Sequence, residues 1–421
     1  MIEKTTENAW RNRIMNLKVL VLVIFTVIWL YNLLLNIIRM RSAKNPIPEN
    51  VADVYDRETY LKWRSYHADK SRFAIITSTA SFLIELALLA FNAYAAFAGL
   101  FPKEDPFLQM FAVFLLSALS SLLMIPFSWH ETMVIEEKYG FNKATAKTFW
   151  ADQVKSFIIS LIITLAVGGI LMAVHTALGD WMILAFAVLM TLLLLGMTFL
   201  YPVFSKIFNK FKPLEDGDLK DKLTGLLEKN GYKVRAIKVM DASRRTTKSN
   251  AYFTGFGKMK TIVLYDTLVE SMTPDEICAV FAHEMGHGLH KDTLKHQLLS
   301  FVQMFILGVF AWLTLRTTGL FTAFGFSGIN YGFAVILIMS VEFPLIAPLF
   351  GLLVNYVSRR AEYRADAQAV KEGCGEELIS ALKKLSKNNL ADLAPSPLLV
   401  KLEYSHPTLS QRIDAIRNNK N

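Results

Sequence analysis

Cysteine is nearly absent. The 421-residue chain has two, Cys278 and Cys374, which excludes a disulfide framework and, with no CxxC pair, a thiolate zinc site. Both read as small apolar packing residues. Charge is also scarce: charged residues make up 19% and hydrophobic ones 53%, with 12% aromatics, the composition of a membrane protein and not of two or three soluble domains. Internal repeats, low-complexity tracts and Pro/Gly-rich linkers are missing apart from the "NPIPE" turn at 45–49. A cleavable leader is not expected either. The first apolar stretch follows Arg11, Arg13 and Lys18, exceeds an h-region in length, lacks a small-residue cleavage site and is stopped by Arg39 and Arg41, so it reads as an uncleaved anchor. The +9 net charge does not argue for nucleic acid, because the Lys and Arg residues cluster beside apolar runs, where they report membrane topology.

What is present is a set of apolar runs long enough to cross a bilayer, which needs about 20 residues each. Seven are expected, near 17–38, 73–100, 107–127, 156–179, 181–204, 298–322 and 331–355. Eight Lys/Arg fall in 39–72 and four in 128–155, while 101–106 on the opposite side holds Lys103 alone. By the positive-inside rule the basic side, including 205–297 and the C-terminal region, faces the cytosol, and the N-terminus lies opposite. Glu85 in the second span and Glu342 in the seventh are unusual acids at membrane depth, and Glu342 suits an interhelical hydrogen bond.

The chemistry concentrates in "FAHEMGHGLH" at 281–290. On a helix His283 and His287 project from one face about one turn apart, close enough to share a zinc ion, and Glu284 on the adjoining flank is placed to take a proton from water activated there. Thr273 as N-cap, Pro274 at the first position and Glu276 at the third announce that helix. Lys291, Asp292 and Lys295 border it with charge, which disfavours a metal helix buried in a span. His290, two turns from His283 and roughly 10 Å along the axis, is too far to complete the set.

A catalytic zinc needs a third protein ligand and an open position. In "NYVSRRAEYRAD" Asn355, Arg359, Glu362 and Asp366 share one helical face that continues from the seventh span, a polar stripe that needs partners at a membrane exit. Glu362 is the candidate third ligand and Asp366 a candidate acceptor for a ligating imidazole N–H. A salt-bridged helix surface is the alternative. "KTIVLYD" at 260–266 reads as a strand after the turn-rich "GFGKM"; at an edge it could align an extended peptide, and otherwise it is a core strand of a small sheet.

These stretches, with "YSHPTLSQR" downstream and "KYGFNKAT", "YPVFSKIFNKFKPL" and "SNAYFTG" upstream, resemble the type I CAAX prenyl proteases, multi-pass zinc metallopeptidases. The resemblance implies zinc on His283, His287 and Glu362, Glu284 as general base, Asp366 orienting a zinc histidine, His406 stabilising the oxyanion, Asn250 holding the substrate backbone and Arg412 with a structural or substrate-binding part. It implies helices around a large chamber and removal of the C-terminal tripeptide of prenylated proteins. The expected fold is thus mainly α: a seven-span membrane protein with a small cytosolic zinc-peptidase part containing a short β-sheet, divided as 1–204, 205–297, 298–355 and 356–421. The expected partners are a peptide or protein substrate and the lipid bilayer. The ending "RNNKN" has no dilysine retrieval signal, which favours a prokaryotic cytoplasmic membrane over the endoplasmic reticulum or inner nuclear membrane. Two other classes fit the same residues: a quality-control peptidase acting on unfolded or translocation-stalled proteins, and a transporter or scaffold with a structural metal, the latter disfavoured because structural zinc is closed by four protein ligands.

Overall fold

The computed structural model describes residues 2–254 and 261–419 and is mainly helical. Its principal helices are α1 (Ile2–Ser42), α2 (Arg57–Ala90), α3 (Pro106–Ser121), α4 (Ala146–Leu178), α5 (Met182–Phe208), α6 (Asp218–Lys229), α7 (Pro274–Leu289), α8 (Asp292–Arg316), α9 (Phe343–Lys371), α10 (Gly375–Asn388), α11 (Pro397–Glu403) and α12 (Leu409–Asn418). Local chemistry sets their starts. Asp56 accepts from Thr59 N to open α2, Asp105 from Phe107 N and Leu108 N to open α3, and Thr145 from Thr148 N to open α4.

Among the described residues six helical stretches are long and apolar enough to cross a membrane: Met15–Ser42, Arg57–Ala90, Pro106–Glu136, Ala146–Gly196, Asp292–Arg316 and Tyr331–Lys371. The fourth, 51 residues long, holds both α4 and part of α5. They are parted at Gly179, whose φ of 50° is a conformation that glycine adopts without Cβ strain. The following Asp180 accepts from Trp312 Nε1 at 2.9 Å, fixing this corner against α8. Large aromatic side chains, among them Tyr94, Phe114, Phe321 and Phe333, fill the core between these helices. Glu342 accepts from Thr314 across two helices and Glu85 from Tyr94 at 2.9 Å, so both intramembrane acids take interhelical or local hydrogen bonds.

The expected divisions at 204/205, 297/298 and 355/356 fall inside α5, α8 and α9. Each of these helices runs unbroken from its apolar part into the peptidase part, so the membrane helices themselves position the site. The sheet has four strands in the order β1 (Phe211–Pro213), β2 (Ala236–Met240), β4 (Thr261–Tyr265) and β3 (Ala251–Thr254). β4 pairs parallel with β2 and antiparallel with β3, placing Ala251 opposite Leu264. Of the two positions open to 260–266, the edge is therefore not taken and the core is: Ile262, Val263 and Leu264 are buried, and continuous apolar side chains suit an interior strand. Among the described residues no strand pairs with the other side of β3, the sheet edge next to the site. "GFGKM" at 255–259 lies outside the described residues.

Two apolar clusters clamp α7 from opposite sides. Ala279 and Ala282 pack with Val51, Trp63, Leu378 and Ile413, while Ile277, Val280 and Phe281 pack with Leu223 of α6 and Ile262 and Leu264 of the sheet. Cys278 lies in the second cluster, where burial pushes its thiol up to about 12; Cys374 is pushed up for the same reason, and both thiols are free and protonated at neutral pH.

Candidate metal centre

The metal helix is fixed at its start and packed tightly at its end. Thr273 and Glu276 form the expected capping box, with Pro274 in the first turn. Glu276 is buried and also accepts from Ser380 Oγ at 2.6 Å and Lys384 Nζ at 2.7 Å, which joins α7 to α10. Near the other end, a Cβ on Gly286 would lie 2.8 Å from Ala365 Cα of α9. That missing side chain lets the two backbones approach, and the approach brings Glu362 onto the histidines.

His283 Nε2 lies 3.5 Å from Glu362 Oε2, and His287 Nε2 lies 3.2 Å from Glu362 Oε1. One ligand atom from each of the three residues lies within 4.8 Å of the other two. The opposite ring nitrogens are engaged: His283 Nδ1 is 2.8 Å from Asp366 Oδ1, and His287 Nδ1 is 3.3 Å from Asp292 Oδ2. Each carboxylate takes the Nδ1 hydrogen and turns Nε2 toward the shared point, the usual support of a metal-binding imidazole. Glu362 Oε2 is buried and has no hydrogen-bond donor of its own, so a cation between the three groups would satisfy it. Two imidazoles and a carboxylate are a ligand set that fits zinc with one position left open.

Electrostatics agree with that assignment. Burial works against a charged His287, yet the hydrogen bond and charge of Glu362, with Glu284 and Asp292, outweigh it and raise its pKa to about 9. The imidazole thus sits in a field that favours positive charge, whether from a proton or from a metal. Asp366 is completely buried and accepts from Arg412 through two bonds, Nε at 3.0 Å and Nη2 at 2.6 Å. The same guanidinium lies 3.5 Å from Glu362 Oε2.

A cleft of about 320 Å³ opens onto this group, lined by Asn250, Ala251, Glu284, His406 and Arg412 among others. His406 Nε2 is 3.4 Å from Glu362 Oε1, and its Nδ1 is 2.9 Å from Ser405 Oγ. Asn250 stands immediately before β3; its side chain accepts from Ala251 N at 2.9 Å, and its carbonyl accepts from Tyr265 N at 3.1 Å. Thus all eight predicted site residues come together, while His290 is exposed and does not line the cleft.

The polar stripe of α9 divides by task. Asn355 donates to Leu402 O at 2.9 Å, and Arg359 donates to Val400 O and Tyr404 O at 3.0 and 2.7 Å, holding α11 and the turn that carries His406. Asp292 is the residue that sequence reasoning missed. Named only among the charges bordering the helix, it is 3% exposed and binds His287, Arg364 at 2.7 Å and Lys295 at 3.0 Å. The available signal was an acid directly after the metal helix and directly before an apolar run.

Two family models match adjoining parts of the chain. Residues 36–210 match the CAAX prenyl protease N-terminal region described by five membrane helices, and residues 213–420 match peptidase family M48. The chain is 33% identical over 407 residues to the CAAX prenyl protease 1 homolog of Arabidopsis thaliana, covering 93% of this chain and 95% of that one. It is 32% identical over 411 residues to CAAX prenyl protease 1 of Saccharomyces cerevisiae, covering 89% of each. The crystal structure of S. mikatae Ste24p is similar with a TM-score of 0.87 at 28% identity, over 95% of this chain and 99% of that one. With the convergent His283, His287 and Glu362, these likenesses establish that the chain belongs to the CAAX prenyl protease family of M48 peptidases and is a multi-pass membrane metallopeptidase.

Proposed function

We propose that the protein is a zinc endopeptidase that cleaves near the C-terminus of prenylated CAAX proteins, with its metal centre facing the cytosol. The observation that carries this reading is the convergence of His283, His287 and Glu362 at the floor of a cleft that also receives Glu284. His283, His287 and Glu362 would hold the ion, with Asp366 and Asp292 orienting the two imidazoles. Bound zinc supplies Lewis acidity to a peptide carbonyl and to water. Glu284 takes the proton of the attacking water and returns it to the leaving amine. His406 donates its Nε2 hydrogen to the developing oxyanion, an arrangement consistent with Ser405 Oγ donating to Nδ1. Asn250 and the free edge of β3 align the extended substrate through main-chain hydrogen bonds. Arg412 holds Asp366 and, through it, His283.

The names of the similar proteins support the prenylated substrate, and the basic loops support the cytosolic orientation. The break at Gly179 supports counting Ala146–Gly196 as two spans, seven in all. Glu85 Oε1 and Glu342 Oε2 are buried with no hydrogen-bond partner, which supports a water-filled chamber between the helices. A prokaryotic membrane gains no support from the relatives named above, which come from a plant and a yeast. The test compares a farnesylated CAAX peptide with its unlipidated counterpart, using wild type and Glu284→Gln. Glu284→Gln should retain zinc and lose about 100-fold or more in turnover. Equal cleavage of both peptides would overturn the substrate assignment, and unimpaired Glu284→Gln would overturn the mechanism.

A further inference from the structure

We propose that the groove between the end of α1 and the start of α2 binds the headgroup of an anionic phospholipid. Lys44, Arg64 and Arg72 line this groove of about 450 Å³ together with Met40, Leu61 and His67, and no acid lines it. Its height is set by the sequence: the apolar run of α1 ends at Ile38 and that of α2 begins at Phe73, so Met40 and Arg72 stand at the boundary between hydrocarbon and water. The two helices pack side by side there, and His67 Nε2 joins the walls at 3.1 Å from Arg39 O.

Several cations nearby already have partners. Lys70 is paired with Glu131 and Glu136, Lys138 with Asp69, Lys248 with Glu136 and Arg245 with Asp152. Lys44, Arg64 and Arg72 are exposed, and their side chains make no hydrogen bond or ion pair among the described residues. The acid whose field reaches Arg72 is Asp69, and its Oδ2 already accepts from Lys138 and Tyr139, each at 2.7 Å. Three unpartnered cations around one concavity at headgroup level form a site for a phosphate diester.

The walls are built before any ligand arrives. Arg39 binds Glu403 at 2.6 Å and Asn45 donates to Ala394 O at 2.9 Å on the α1 side; Tyr66 donates to Glu136 at 2.7 Å on the α2 side. Met40 and Leu61, the latter 52% exposed, offer apolar surface beside the cations. That pairing of charge with apolar surface fits a membrane lipid, whose glycerol and first methylenes would lie along it, better than free phosphate.

The test uses the full-length protein in detergent, titrated with phosphatidylglycerol and read by native mass spectrometry. One cation near an anionic surface accounts for about a fivefold factor in binding, so Lys44→Gln/Arg64→Gln/Arg72→Gln together should weaken retention by about 100-fold. A matched variant at the exposed Lys143, Lys147 and Lys206 should bind as wild type, and phosphatidylcholine should not compete. Arg64→Glu alone, checked for intact zinc content, serves if the triple variant does not fold. Equal binding by the groove variants, an equal loss in the matched variant, or displacement of the lipid by millimolar inorganic phosphate would each overturn the proposal.

Discussion

Asp292 shows how a single side chain is given two tasks by its position. It heads α8, where an acid complements the helix N-terminus, and its Oδ2 simultaneously orients His287 at 3.3 Å. Replacing it with Ala would leave His287 with a free Nδ1 and no fixed ring orientation. Asp292→Ala should therefore lower zinc affinity by about 10- to 100-fold, measured by competition with a chromophoric chelator, while secondary structure persists. Unchanged affinity would assign Asp292 to α8 and its ion pairs alone. Asp366 holds His283 in the same way, and each carboxylate has a guanidinium behind it, Arg412 on Asp366 and Arg364 on Asp292.

Helix pairing explains why the metal motif contains a glycine. Glycine inside a helix costs about 1 kcal/mol relative to alanine, so Gly286 needs a compensating reason, and the contact with Ala365 supplies one. Gly286→Ala should push α7 from α9 and separate the histidines from Glu362; the expected result is loss of most bound zinc, read by metal analysis of the purified protein. The start of α7 carries a pH dependence of its own. Burial works against the Glu276 carboxylate, but Lys384, Ser380 and the Thr273 N–H together hold its pKa below the ordinary 4.5. A depressed folded value means that the stabilisation is present at neutral pH and is lost as pH falls from about 4.5 through the lower folded value. Glu276→Gln should lower the melting temperature at pH 7 and flatten its decline below about pH 4.5. A parallel shift at every pH would show that the charge contributes nothing.

For the whole molecule, the prediction concerns orientation across the bilayer. Lys103 lies between two apolar runs on the side poor in basic residues, whereas Lys143 lies in the basic 128–155 segment. Both native thiols sit with raised pKa and Cys278 is buried, so introduced cysteines can be distinguished from them. In sealed right-side-out membranes, a membrane-impermeant maleimide should label Lys103→Cys directly and Lys143→Cys after permeabilisation. The reverse pattern would place the metal centre outside the cytosol. The same architecture makes the catalytic and membrane parts inseparable, because α5, α8 and α9 belong to both.

Local spacing along the chain was enough to establish a great deal. Apolar run length marked the membrane helices, the i, i+4 spacing marked His283 and His287, and a four-residue polar rhythm on α9 marked Glu362 and Asp366; these are properties of one helix at a time. Which strand lies at the sheet edge, which acid turns to His287 and how closely α7 meets α9 depend on pairings between segments far apart in sequence. Those pairings are chosen by packing, where a missing Cβ at Gly286 or three buried apolar side chains in β4 decide the outcome. The sequence by itself determined the chemical groups and the faces that carry them; the tertiary structure decided their distances, because only close packing of separate elements converts a face into a site.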